Sequence, residues 1–123
     1  MKGKEEARRY DVPGGPLGLS GPIERPAPGT LPLRGDLAHI ALAGTHLAAH
    51  YVIPGRATVR AARTNLRCQA RDDAEVNCVL ENGRALEVLD IGQDWVWCCI
   101  GPEGPSGYVH TDCLDIESVG GAI

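Results

Sequence analysis

Phenylalanine is absent from this 123-residue chain, and two Trp and three Tyr supply all its aromatic rings other than histidine. A core must therefore be built from Val, Leu, Ile, Ala, Cys and Trp. No stretch approaches the roughly 18 apolar residues that a membrane-spanning helix needs. The opening MKGKEEARRYDVPGG carries charge but no apolar run, so no secretory signal is expected. Cys-x-x-Cys pairs are also missing, and five cysteines is an odd number. That pattern fits free thiols in a reducing compartment, and a cytoplasmic location follows as the expectation. Basic charge is scarce: 12 Lys and Arg stand against 16 Asp and Glu, a net charge of -4. The balance argues against a nucleic-acid partner, and no basic cluster of membrane-anchoring size is present.

What the chain does have is unevenly distributed. Many of its 16 Gly and nine Pro are crowded toward the start, as in VPGGPLGLSGPIERPAPGTLP. Residues 1–32 are read as a flexible or extended arm, because this composition buries little and removes backbone donors. Residues 33–56 change character. Asp36 is placed to cap a helical turn over Leu37 to Leu42, which Gly44 would stop. Tyr51-Val52-Ile53 before Pro54 favours an extended exit that lies on the main domain.

Residues 57–117 read as short strands with regular turns, which predicts an all-β, small antiparallel barrel. The expected strands are Ala57 to Ala61, Glu75 to Leu80, Ala85 to Asp90 and Trp95 to Ile100, with Tyr108-Val109 resuming the sheet. Glu81-Asn82-Gly83 and Gly101 to Pro105 are turns, and Asn65 to Ala74 is read as a polar loop. Residues 118–123 are left as a tail. Within the Trp95 strand, Val96, Cys98 and Ile100 share one face and suit a core. Trp95, Trp97 and Cys99 share the other, so both indoles are expected to face outward.

Sites of chemistry are thin. Cys113 lies only three residues from His110, and nothing marks a thiolate-stabilising helix start, so cysteine catalysis is not expected. The His and Cys spacing matches no closed zinc site; His46 and His50 approach each other only if their stretch is helical. Arg34-Gly35-Asp36 reads as a turn leading into the cap, and Pro13-Gly14-Gly15-Pro16 lacks the ending of a phosphate loop. Asp112, Asp115 and Glu117 form no convincing acid pair. No enzyme activity, cofactor or metal is expected.

Taken in order, Asn65-Leu66-Arg67, Ala74-Glu75-Val76, Leu80-Glu81-Asn82-Gly83, Leu86-Glu87-Val88-Leu89, Asp94-Trp95-Val96-Trp97 and Gly107-Tyr108-Val109 resemble a bacterial SH3-like domain. The upstream Arg34 to Gly44 stretch, with His50-Tyr51-Val52, is similar to the start of the N-terminal SH3-like module of NlpC-type cysteine peptidases, which cleave murein peptides. The family's catalytic Cys and His have no counterpart here, so the resemblance implies no peptidase activity. It implies a groove in which Trp95 stands as the platform. His110 and Cys113 fall where the eukaryotic domains carry a Pro and a stacking Tyr, which removes two walls of a polyproline slot.

The resulting expectation is a non-catalytic peptide- or protein-binding module, linked to murein peptide recognition. Trp95 and Trp97 would supply aromatic surface, Tyr108 and His110 the flanks, and Asp72 and Asp73 a charge clamp. A murein stem peptide or a Lys-bearing segment would suit such a groove. The alternative is a detached regulatory or structural domain of a cysteine peptidase, which dimerises weakly or packs on a catalytic partner in trans.

Overall fold

A computed structural model describes residues 29–122, and the arm assigned to residues 1–28 lies outside them. The described residues are mostly β. Seven strands form one antiparallel sheet: β3 (Gly55–Val59), β4 (Arg63–Arg67), β5 (Val76–Glu81), β6 (Ala85–Ile91), β7 (Trp95–Cys99), β8 (Ser106–His110) and β9 (Leu114–Ser118). Their spatial order is β5-β4-β8-β7-β6-β3-β9, so the sheet bends around its core without closing into the expected barrel. A second sheet joins β1 (Leu37–His39), β2 (His50–Ile53) and β10 (Gly121–Ala122). No helix of the described residues is long and apolar enough to cross a membrane.

Alternation builds the main core. Val96 and Cys98 of β7 point inward with Val109 of β8, Leu86 and Val88 of β6, and Ala57 and Val59 of β3. Ile100 packs partly buried against them, as its place in the alternation predicts. The turn after β5 also matches expectation, with Gly83 at φ 86, in the left-handed region that glycine enters without a Cβ clash.

Three expectations are corrected. Asn65 to Ala74 is not all loop, because Arg63–Arg67 forms β4 and its Leu66 is fully buried. A register shift between Leu66 and Arg67 then changes the face that β5 presents. Cys78 and Leu80 keep to the core, while Val76 is 39% exposed instead of joining them. The Leu37 to Leu42 stretch is not a capped helix. Leu37–His39 pairs in parallel with His50–Val52, and only Ile40–Leu42 winds into a 3-10 turn. That turn is capped by His39, whose ring accepts the Ala41 N–H, while Asp36 is bonded to Arg34. The tail is not loose either, since Gly121–Ala122 pairs with Ile53 and Val52.

The arm also ends earlier than residue 32. The Gly29 carbonyl accepts the Ser106 N–H at 3.0 Å, and the Leu31 carbonyl accepts the Ser106 hydroxyl at 2.7 Å. Pro32 is fully buried.

The middle of the outer face of β6 and β7 is covered. A register shift between Val88 and Asp90 lets Val88 face the core while Leu89 turns outward. There Leu89, Trp97, Cys99 and Val52 form a second apolar cluster, with Leu37 and Tyr108 at its margin. The segment 33–53 is therefore a cover strapped across the sheet. Arg34 fastens it: its guanidinium lies 4.5 Å from the Trp97 ring centre and bonds Asp36 at 2.7 Å and Asp90 at 3.0 Å. Burial alone would lower the Arg34 pKa, but its bonds to Asp36 and Tyr108 outweigh that and raise it. The same bond holds the Asp36 carboxyl below its ordinary value.

Burial grades the thiols as well. All five cysteines are free, with Cys98 and Cys99 buried and Cys68, Cys78 and Cys113 half-buried. Desolvation pushes the Cys98 thiol up to about 12. Native alkylation at pH 7.5 should therefore leave Cys98 and Cys99 unmodified by mass spectrometry, while the other three label slowly. Prompt labelling of all five without denaturant would contradict this packing.

Candidate functional site

Strand register creates the site. Trp95 and His110 are direct cross-strand partners on β7 and β8, and side chains so placed can touch. They stack with ring centres 3.9 Å apart and planes at 27°. The next pair on that face is Trp97 opposite Tyr108. The cover segment reaches the second pair and stops short of the first.

The third member comes from the loop after β4. Its neck is closed by the Cys68 N–H on the Glu75 carbonyl, and the Arg67 guanidinium bonds the Ala74 carbonyl at 2.9 Å. Ala74 is buried, so the loop is anchored at its base and carries Asp72 outward. The Asp72 carboxylate meets His110 Nε2 at 2.6 Å. The Asp94 carbonyl accepts the Thr111 N–H at 2.9 Å, which ties the β6–β7 loop to the 3-10 turn Thr111–Cys113.

The result is a shallow, open pocket lined by Asp72, Gln93, Asp94, Trp95, His110, Thr111 and Asp112. Three aspartates line it beside a half-buried indole. Among the described residues Asp94 and Asp112 form no ion pair. The pocket therefore offers an aromatic face and negative charge, which suits a cationic, N–H-bearing group.

The sequence-selected residues divide. Trp95, His110 and Asp72 come together. Trp97 does not join them: it is 3% exposed and sealed under Leu37, Val52 and Arg34, so the expectation of two outward indoles fails for it. Tyr108 turns toward Arg34, whose guanidinium donates to its hydroxyl at 3.4 Å. Asp73 lies near Arg71 at 3.6 Å and is outside the pocket lining. Asp94 and Gln93 were missed; their signal was position, as the loop residues directly before the platform Trp95. Asp112 was weighed as a general acid and lines the pocket instead.

Among the described residues, one grouping has metal-ligand types close together: His39, Glu87 and Cys99. It does not fit a metal. His39 Nδ1 accepts the Ala41 N–H, so the neutral ring carries its proton on Nε2 and donates it to Glu87 at 2.9 Å. A metal at Nε2 would require a proton on Nδ1, facing that same N–H. The Cys99 thiol lies 3.8 Å from the same Glu87 oxygen. The trio is a polar tie between the cover segment and the sheet. His46 and His50 are not partners either; His46 Nδ1 contacts the Thr45 hydroxyl, and His50 opens β2.

No protein-family model, curated protein or solved structure matches this chain.

Proposed function

We propose that this chain is a non-catalytic binding module that receives a short peptide or protein segment on the Trp95–His110–Asp72 surface. The observation that carries this reading is the half-buried Trp95 indole in an open pocket also lined by Asp72, Asp94 and Asp112. An SH3-like architecture is part of the proposal. The β4–β5 hairpin, the β6–β7–β8 meander, the 3-10 turn and the return of β9 beside β3 follow the order of such domains. A link to murein rests on the resemblance of residues 34–44 and 50–52, and a stem peptide carries the amine that this pocket suits.

A two-dimensional amide NMR titration with a murein tripeptide and a proline-rich peptide tests the reading. Shifts should cluster on Trp95, His110 and the loop at Asp72 with the amine-bearing ligand. Trp95→Ala should weaken that binding by about tenfold or more, the range of an aromatic anchor. Shifts spread elsewhere, or unchanged affinity in the variant, would overturn the assignment.

A second reading has its own observation. Val119 is 73% exposed and Ile91 38% exposed beside a shallow apolar groove that also includes Leu37, Val52 and Leu89. Packing of that face on a second copy or a catalytic partner in trans is the alternative. A ligand-silent NMR spectrum with concentration-dependent sedimentation would favour it.

A further inference from the structure

The two indoles of β7 face the same way and have been given parallel surroundings. Trp97 has a guanidinium over its ring at 4.5 Å, and that guanidinium is held by Asp36 and Asp90. Trp95 has an imidazole over its ring at 3.9 Å, and that imidazole is held by Asp72. Each site pairs a planar nitrogen-bearing group on an indole with a carboxylate at its edge. The first is filled by a covering segment and sealed. The second is open, and its His110 side chain is 43% exposed.

We infer that His110 is an internal occupant of the Trp95 site, holding the place that an arginine side chain of another polypeptide takes when it binds. The inference rests on the binding role proposed for Trp95 and adds the ligand's chemistry and its competitor. An imidazole satisfies one carboxylate oxygen through one nitrogen. A guanidinium is planar, stacks on indole, and presents five N–H donors in a fixed fork. It can therefore answer Asp72 together with Asp94 or Asp112, which His110 leaves unpaired. Lysine ammonium lacks the flat face, and citrulline lacks the charge.

Displacement is mechanically simple, because exposed side chains change rotamer on the picosecond-to-nanosecond scale. The charged groups lining the pocket around His110 are Asp72 from the β4–β5 loop, Asp94 from the β6–β7 loop and Asp112 from the 3-10 turn. All three are acidic, so the place that His110 vacates favours a cation.

The test is an NMR titration with acetyl-Gly-Arg-Gly-amide and its lysine and citrulline counterparts. In the wild-type protein the arginine peptide should bind best. His110→Ala should bind it about 2- to 5-fold more tightly than wild type. His110→Phe keeps a ring on the indole without an Asp72 bond; it should bind no better than wild type. Equal binding of all three peptides, or a His110→Ala variant no tighter than wild type, overturns the inference while a Trp95-dependent shift leaves the binding role standing. Should none of these peptides, the murein tripeptide or the proline-rich peptide move Trp95 resonances in wild type or His110→Ala, both readings fall together.

Discussion

Replacing Trp97 with alanine is expected to cost about 3–5 kcal/mol of folding stability, the range for truncating a buried aromatic. The indole is 3% exposed and touches both layers: Leu89 and Cys99 on the sheet side, Val52 on the cover. Its removal leaves a cavity under the strap and withdraws the surface on which Arg34 rests. In a domain of this size the loss corresponds to a fall in Tm of more than about 10 °C. Trp95→Ala should cost roughly 1 kcal/mol or less, since the indole is only half-buried and stacks on the equally half-buried His110 ring. Urea unfolding followed by far-UV circular dichroism separates the two. Near-equal losses would mean that Trp97 is not the hinge pin of the two layers. The contrast would place the larger share of folding stability on Trp97 and leave Trp95 free for the role proposed above.

Leu66→Ala is the second large effect, at about 2–5 kcal/mol. Leu66 has no solvent exposure and lies in the main core with Leu80, Val96 and Val109. A leucine in a polar loop would lose no more than about 0.5 kcal/mol on the same change. The same urea titration therefore decides whether Arg63–Arg67 is a core strand or a connection. The hairpin it forms with β5 carries the loop with Asp72, so the variant should also blunt peptide binding even where it remains folded.

The two substitutions mark where the sequence was readable and where it was not. Trp95 to Ile100 alternates cleanly and a Gly-bearing turn precedes Ala85, and both strands appear nearly where expected. Val96 and Cys98 were placed inward correctly because period-two patterning answers that question directly. Leu66 was hidden because it is the lone large apolar residue among Arg63, Thr64, Asn65 and Arg67; one residue cannot show a period. Trp97 was placed on the right face and given the wrong environment. Patterning says which way a side chain points but not what a distant segment lays over it. The same limit explains Leu37–His39, whose strand character comes from pairing with His50–Val52 and not from local preference. At the site, Trp95 and His110 were each visible by type. Their contact became visible only through the register that sets them opposite each other.

The small sheet has a kinetic consequence. Its middle strand, His50–Ile53, is flanked by Leu37–His39 on one side and Gly121–Ala122 on the other. Closing it joins the two extremes of the described chain, and such distant contacts form late because loop-closure entropy must be met first. The seven-stranded body can therefore assemble while the cover still lacks one border, until Gly121–Ala122 docks beside Val52 and Ile53.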